Sequence, residues 1–346
     1  MNNAPLRLRI DSAALAANWH ALAEMSGPAA CGAAVKADGY GLGASNVAQA
    51  LVQAGCRDFF VATWAEALAL APLKLPVSVL HGVRAEDMAV ARTGIARPVL
   101  NSLVQINRWR AAGGGLCDVM IDTGMNRLGL SVDEARGGAL DGLMVDTVMS
   151  HLACADEDVP MNEVQRDAFA GVALSLGGTP MWGARRLSLA NSAGIALGPR
   201  YVFGLTRPGL ALYGGVPRAE LGHMRQVVTP EAQIIQRRVL RAGETIGYNA
   251  TFTAPKDREV AIINLGYADG YWRAFSAKGA ACSGSARLPV LGRVSMDLTA
   301  LDVSAAPGLR EGDWVAMDYA LPDAARLTGL SQYELLTGLG RRFERK

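Results

Sequence analysis

The chain has 346 residues, half of them hydrophobic and 19% charged, and its formal net charge is +2. This near balance of charge, without a block of basic residues, argues against a protein whose main role is to bind nucleic acid or a membrane surface. No apolar stretch of about 18 or more uncharged residues predicts a membrane span, and the N-terminus lacks the apolar region of a signal peptide.

The cysteines bear on the cellular compartment. They are odd in number, scattered and without a C-x-x-C pair: Cys31, Cys56, Cys117, Cys154 and Cys282. This distribution disfavours a disulfide framework and a zinc site, so we expect no bound metal. A reducing cytosol is the natural environment, and we expect a cytoplasmic protein.

Short apolar runs alternate with helical stretches over the first two thirds of the chain. Asp11 is a candidate N-cap for a helix over residues 12–25, and apolar spacing predicts helices over residues 44–54 and 162–176. Strands are predicted over residues 32–36, 59–62, 77–80, 98–100, 118–121, 143–150, 187–190 and 203–205. Eight such strands predict an α/β fold with an N-terminal (β/α)8 barrel of the TIM type. A doubly wound sheet is the alternative, but its G-x-G-x-x-G turn is absent.

The pattern changes after about residue 225. Alternating runs over residues 232–240, 259–265, 286–291 and 298–303, separated by turn-forming residues, predict a mainly β domain. Residues 331–346 read as a helix followed by a basic tail. We therefore expect a barrel over residues 8–225 and a C-terminal β domain over residues 226–346, with the assignment of residues 1–7 to the second domain left open.

Residues 33–43 form an apolar run closed by Lys36 and followed by a glycine-rich turn that contains Tyr40. Lysine is seldom fully buried, so a lysine at the end of a buried strand has two explanations. Its stem packs while the ammonium reaches water, or the amine has a lowered pKa and forms a Schiff base with a carbonyl compound or pyridoxal phosphate. This segment alone does not decide between them.

Other polar residues also follow predicted strands, where barrel enzymes place their active sites. They are Arg127 after the fifth strand, His151 after the sixth, Asn191 and Ser192 after the seventh, and Arg207 after the eighth. The last two loops build the phosphate site of many barrels, so Ser192 and the backbone near Gly209 are phosphate candidates. Each residue taken alone has an ordinary structural explanation: Arg207 as a surface charge, His151 as a core histidine, and Asn191-Ser192 as a helix cap. Taken together, their positions favour a single functional site.

In the second domain, tyrosines stand beside glycines at Tyr248 and Tyr267, and a further polar turn holds Met296 and Asp297. Hairpin turn chemistry alone explains such segments.

Taken together, these segments resemble the alanine racemase family over nearly the whole chain. The matching motifs are Val35-Lys36-Ala37-x-x-Tyr40-Gly41, Asp122-Thr123-Gly124-Met125-x-Arg127-Leu128-Gly129, Ala190-Asn191-Ser192, Arg207-Pro208-Gly209, Gly247-Tyr248, Gly266-Tyr267-Ala268-Asp269-Gly270 and Met296-Asp297. The resemblance implies an isomerase that uses pyridoxal 5'-phosphate to interconvert L- and D-alanine, supplying D-alanine for peptidoglycan or degrading it. It also implies a homodimer whose active sites are shared between subunits.

The resemblance assigns roles to individual residues. Lys36 is the Schiff-base lysine and one of two catalytic bases, and Tyr248, supplied by the partner subunit, is the other. The cofactor-binding set is Lys36, Tyr40, His151, Asn191, Ser192, Arg207, Gly209 and Leu210, in which Arg207 faces the pyridine nitrogen and His151 supports Tyr248. The substrate-binding set is Arg127, Tyr267, Met296 and Asp297, with Tyr267 at the entrance.

The chain also departs from the family. Many members carry a lysine, often carbamylated, where Met120 stands, and histidines where Leu42 and Ser188 stand. The C-terminal tyrosine that often contacts the phosphate is not identified from the sequence. Three alternatives stay open: a racemase of another or broader amino-acid range, a decarboxylase of the same architecture, and a non-catalytic barrel that binds pyridoxal phosphate. The Tyr248 and Met296-Asp297 motifs disfavour the second, and the intact C-terminal domain disfavours the third.

Overall fold

The computed structural model describes residues 4–175 and 186–346. They form two compact units. The barrel unit comprises Ala13–Gly39 and Ala44–Arg225. The β unit comprises the described residues up to Ser12, together with Tyr40–Gly43 and Gln226–Lys346.

Parallel strands form the wall of the barrel unit. Among the described residues, seven pair side by side in chain order: Ala33–Ala34, Phe59–Val61, Val77–Val79, Arg97–Leu100, Leu116–Met120, Met144–Met149 and Arg186–Ser188. Most of their apolar side chains are buried, because helices between parallel strands cover the outer face of such a sheet, but Leu116 and Met144, at the first positions of their strands, are exposed.

An eighth strand closes this wall. Leu205–Thr206 pairs in parallel with Ala30–Cys31, which lies immediately before the first wall strand. The amide of Gly32 donates to the Thr206 carbonyl at 2.9 Å, and the amide of Arg207 donates to the Ala190 carbonyl, beyond the seventh strand, at 2.8 Å. The ring is therefore complete, and the predicted (β/α)8 barrel is confirmed.

The first strand is interrupted at Gly32 because its neighbour approaches too closely for a side chain. A Cβ atom at this position would lie 2.9 Å from the carbonyl oxygen of Asp58 and 2.8 Å from the Phe60 ring. Only glycine fits such a close approach.

Helices connect the barrel strands. They are Ser12–Met25, Ala44–Ala54, Trp64–Leu70, Met88–Ala91, Leu103–Ala111, Val132–Glu134, Met161–Ser175 and Ser192–Ala196. The first two have the predicted bounds, and the predicted helix 162–176 begins one residue earlier, while Leu176 lies outside the described residues. No helix in the described part of the chain has both the length and the apolar character needed to cross a membrane.

Buried ion pairs occupy the barrel interior near the amino ends of its strands. Arg186 bridges Asp58 and Asp146 at 2.8 and 2.7 Å, and Arg97 lies 3.3 Å from Asp146 and 3.5 Å from Asp118. Asp118 is fully buried, and burial raises the pKa of its carboxyl against the opposing effect of Arg97.

The β unit is built on one eight-stranded sheet. In sheet order its strands are Arg258–Ile263, Thr299–Asp302, Ala286–Leu291, Ala280–Ser283, Trp314–Met317, Val228–Leu240, Leu6–Ile10 and Glu344–Arg345. Val228–Leu240 also pairs with Arg258–Ile263, so the first six strands in this order form a closed ring. A separate hairpin joins Thr245–Ile246 to Phe252–Thr253. The predicted mainly β C-terminal fold is confirmed.

Two parts of the β unit differ from the sequence reading. Leu6–Ile10 was not predicted as a strand, yet its Leu-Arg alternation buries Leu6 and Leu8 while Arg7 pairs with Glu231. Toward the C-terminus the helix ends early, since Gln332–Thr337 is followed by the strand Glu344–Arg345, which pairs in parallel with Leu6–Ile10.

Candidate active site

Lys36 lies at the mouth of the barrel, just past the buried first strand. The four residues after it, Ala37, Asp38, Gly39 and Tyr40, all have positive φ, between 52° and 64°. The chain therefore leaves the strand through a left-handed turn, in which the Gly39 amide donates to the Val35 carbonyl at 2.9 Å.

The charges around Lys36 favour its neutral amine. Burial of the side chain is the main cause that lowers its pKa, and the positive charges of Arg127 and Arg207 lower it further. Glu66 acts in the opposite direction. A lysine with a lowered pKa is the form suited to attack a carbonyl carbon.

Arg207 is a buried cation, 6% exposed. Its guanidinium donates to the Ser150 carbonyl at 2.7 Å and to Ser188 Oγ, and Ser188 in turn donates to the Leu205 carbonyl at 2.6 Å. Burial lowers the pKa of Arg207 to about 10, with Asp118 opposing the shift. The group thus stays protonated near pH 8 and presents only N–H donors.

A candidate anion site lies where the last two loops meet. Ser192 Oγ accepts from the amides of Gly209 and Ala211 at 3.0 and 3.2 Å, so its own proton is left to donate to another acceptor. Leu210 opens a 3₁₀ turn over Leu210–Tyr213, where the first N–H groups have no carbonyl of the turn to bind. Asn191 caps the helix after it, since its side chain accepts from the Gly194 amide at 2.8 Å.

His151 is held uncharged by its surroundings. Burial lowers its pKa to about 3, and the charges of Arg207, Arg127 and Lys36 act in the same direction. Its carbonyl accepts from the Gln165 side chain at 3.0 Å, which fixes the backbone at the end of the sixth strand.

Arg127 extends from a turn organised by Asp122, whose carboxylate accepts from the amides of Gly124 and Asn126 and, at 3.1 Å, from that of Arg127 itself. Within residues 4–175 and 186–346 the Arg127 guanidinium makes no hydrogen bond or ion pair, and it is exposed. Met120 stands at the position of the family's lysine. It is buried next to Met149 on the neighbouring strand, and its thioether gives Arg127 no charged partner.

The remaining predicted residues belong to the β unit. Tyr40 is buried, and its ring lies 6.3 Å from that of Tyr333. Burial, with a smaller effect of Tyr333, raises the pKa of the Tyr40 hydroxyl.

Tyr267, Met296 and Asp297 lie on two turns that are bonded together. The amide of Tyr267 donates to the Ser295 carbonyl, and that of Ala268 to the Met296 carbonyl, both at 3.0 Å. Arg342 forms a fork on buried Asp269 at 2.6 and 2.8 Å and reaches Asp297 at 2.7 Å. The predicted substrate residue Asp297 therefore also serves as an ion-pair partner.

Tyr248 follows the short strand Thr245–Ile246 in a turn where Gly247 and Asn249 have φ of 78° and 63°. Its side chain is 69% exposed and has no hydrogen-bond partner among the described residues. The hydroxyl is thus free to meet a group outside its own unit.

The barrel mouth fits an anionic aldehyde cofactor. It combines an amine with a lowered pKa, two arginines, and a serine hydroxyl with a donatable proton. Sequence reasoning found these groups, but it missed Glu66, whose carboxylate lies beside the turn after Lys36. The Thr63-x-x-Glu66 spacing, a capping-box pattern, was the available signal.

Comparison with known proteins identifies one family for both parts of the chain. Residues 10–217 match the family model "Alanine racemase, N-terminal domain", and residues 227–346 match "Alanine racemase, C-terminal domain". A catabolic alanine racemase of Agrobacterium fabrum is 44% identical over 98% of this chain and 91% of its own length. The biosynthetic alanine racemase of the same organism is 41% identical over 99% and 94%.

A solved structure agrees. The alanine racemase of Bartonella henselae, with covalently bound pyridoxal phosphate, has 34% identity and a TM-score of 0.88 over 99% of both chains. Since the two family models together cover nearly every residue, including the lysine, arginine and serine of the barrel mouth, the chain belongs to the alanine racemase family.

Proposed function

We propose that this protein interconverts L- and D-alanine with pyridoxal 5'-phosphate held covalently on Lys36. The observation that carries the proposal is the position of Lys36, an amine with a lowered pKa at the same barrel mouth as Arg207 and Ser192. The names of the relatives, which include catabolic and biosynthetic alanine racemases, support alanine as the substrate.

When bound, pyridoxal phosphate acts as an electron sink that acidifies the Cα–H bond of an attached amino acid. Ser192 Oγ, the Leu210 amide and Tyr40 would hold the phosphate, and the Gly209 amide, which donates to Ser192 Oγ, would orient that hydroxyl toward it. Arg207, which presents only N–H donors, would face the pyridine nitrogen and favour its unprotonated form. An unprotonated pyridine ring withdraws electrons from the substrate less strongly, which disfavours side reactions that need a long-lived carbanion. His151 and Asn191 complete the cofactor site.

Two bases move the proton. Lys36 Nζ takes or returns it on one face of the substrate, and the Tyr248 hydroxyl does so on the other face. Arg127, whose guanidinium has no partner among the described residues, binds the substrate carboxylate. His151 stays neutral and supports Tyr248 as a hydrogen-bond partner. Tyr267, Met296 and Asp297 shape the substrate entrance.

We further propose a homodimer in which Tyr248 and Met296 serve the partner's site. Their exposure, 69% and 54%, supports this, since it leaves both side chains accessible to a second subunit. In this proposal the barrel unit, Ala13–Gly39 and Ala44–Arg225, carries the cofactor on Lys36, and the β unit supplies Tyr248. These bounds replace the 8–225 expected for the barrel from the sequence. All five cysteines are free thiols, which supports a cytoplasmic location.

Reductive labelling tests the cofactor assignment. The purified protein should be yellow, and borohydride should fix the cofactor to the peptide that contains Lys36. A label on another lysine would overturn the assignment. Chiral chromatography with a panel of L-amino acids then decides between an alanine enzyme and one of broader range.

A further inference from the structure

The turn after Lys36 is a strained segment. Four consecutive residues adopt left-handed backbone angles, and Ala37, Asp38 and Tyr40 among them are not glycine. Left-handed conformations are unfavourable for residues with a Cβ atom and persist only where surrounding contacts enforce them. Such contacts should therefore be found around this turn.

Glu66 provides the contact nearest to Lys36. Its Oε1 accepts from the Ala37 amide at 2.6 Å, while its Oε2 accepts from the amides of Ala62 and Thr63 at 2.7 and 3.1 Å. One carboxylate thus joins the turn that follows the first barrel strand to the loop that follows the second. Farther along the turn, Asp38 Oδ1 accepts from the Ala44 amide at 2.8 Å.

Helix capping does not account for all of these bonds. In the capping box of Trp64–Leu70, Thr63 Oγ1 accepts from the Glu66 amide, and Glu66 Oε2 accepts from the Thr63 amide. The Oε1 contact lies outside the box and reaches a residue 29 positions away in sequence. A cap alone would leave that oxygen to water.

Charge gives Glu66 a second link to the lysine. The charged groups that act on Lys36 are Arg127, Arg207 and Glu66, and only Glu66 favours the ammonium form. Two cations and one anion therefore set how readily the amine loses its proton.

We propose that Glu66 is a positioning residue for Lys36: its carboxylate anchors the left-handed turn that fixes the amine at the barrel mouth, and it balances the two arginines there. The inference rests on the proposed function only in taking Lys36 as the lysine that carries the cofactor. It adds a residue that touches neither cofactor nor substrate.

The test compares three variants of the full-length protein, Glu66→Ala, Glu66→Gln and Thr63→Ala. Thr63→Ala is the matched control, because it removes the Thr63 half of the capping box and keeps the bond from Glu66 to Ala37. We measure hydrogen exchange of the Ala37 amide, and the pH midpoint of recombination with pyridoxal phosphate after removal of the cofactor by hydroxylamine.

In Glu66→Ala, exchange of the Ala37 amide should rise about tenfold or more, while in Thr63→Ala it should stay within about twofold of the parent. In Glu66→Gln the recombination midpoint should fall by about half a pH unit, because the anion that favoured the ammonium is gone. The kcat of Glu66→Ala should fall about tenfold or more, with KM for L-alanine changed less than about twofold.

Equal Ala37 exchange in Glu66→Ala and Thr63→Ala would overturn the anchoring role, and an unchanged midpoint in Glu66→Gln would overturn the charge balance. If Glu66→Ala does not fold, Ala37 exchange in Glu66→Gln against Thr63→Ala decides, since one amide oxygen cannot replace both carboxylate oxygens. Hydrogen exchange of the Ala37 amide does not depend on racemisation. Failure of the proposed function would instead appear as a borohydride label on a lysine other than Lys36, so the two outcomes are distinguishable.

Discussion

Replacing Ser188 by alanine should destabilise the barrel unit and weaken catalysis together. The hydroxyl accepts from buried Arg207 and donates to the Leu205 carbonyl at 2.6 Å. Loss of a bond to a charged donor costs about 1.5–3 kcal/mol and loss of a neutral bond about 0.5–1.5 kcal/mol. We therefore expect the free energy of unfolding to fall by about 2–4.5 kcal/mol.

Ser26→Ala is the matched control for this change. Ser26 is buried and also makes two side-chain bonds, to the Leu22 carbonyl at 2.7 Å and to Thr206 Oγ1 at 2.9 Å, but neither partner is charged. Two neutral bonds predict a loss of about 1–3 kcal/mol.

Urea unfolding of the cofactor-free proteins, followed by circular dichroism, measures both losses, and racemisation assays measure kcat. Only Ser188→Ala should lower kcat, because only that change removes one of the two hydrogen bonds that hold the Arg207 guanidinium, leaving the bond to the Ser150 carbonyl. A cost for Ser188→Ala no greater than that for Ser26→Ala, with kcat unchanged, would refute the reasoning.

Three further predictions concern the bases and the histidine. Tyr248→Phe should abolish solvent-deuterium exchange at Cα of L-alanine far more than of D-alanine, and equal losses would contradict the division of faces. Mixing inactive Lys36→Ala and Tyr248→Ala proteins should restore about a quarter of wild-type activity, because about half of the dimers are mixed and each has one intact site; subunit exchange seen by native mass spectrometry without recovery would place Tyr248 in its own subunit's site. In cofactor-free protein the NMR shift of the His151 ring should not titrate between about pH 5 and pH 8, since its pKa is lowered to about 3. The pKa of His151 is lower in the folded protein than in the unfolded chain, so the free energy of unfolding decreases as pH falls from about 6.5 toward 3. Replacing His151 by glutamine should reduce the slope of the free energy of unfolding against pH in this range by up to about 1.4 kcal/mol per pH unit.

The barrel was predictable because each of its strands is a short apolar run between polar loops. Phe59–Val61 and Val77–Val79 were found to within one residue for this reason. The break at Gly32 was not predictable, since it depends on the approach of Asp58 and Phe60 from another strand. Leu6–Ile10 was missed although its alternation is visible, because its partners lie more than 200 positions away.

Much of the candidate site followed from one rule, that polar residues at the carboxyl ends of barrel strands meet at one mouth. That rule brought Lys36, Arg207 and Ser192 together. It could not find Glu66, which lies inside a helix, or the contact between Tyr40 and Tyr333, which joins residues nearly 300 positions apart. Both depend on tertiary packing, which a single sequence does not encode locally.

The sheet of the β unit has a consequence for synthesis. Leu6–Ile10 leaves the ribosome before the barrel, but its partners, Val228–Leu240 and Glu344–Arg345, emerge only after the entire barrel. Barrel closure needs nothing beyond Leu205–Thr206 and the residues just after it, so the barrel can mature while the N-terminal segment waits as an unpaired edge. Arg7 and Arg9, which later pair with Glu231, then place two positive charges on that edge. Charges on an unpaired edge disfavour edge-to-edge joining of chains, so these two arginines protect the strand until its partner is made.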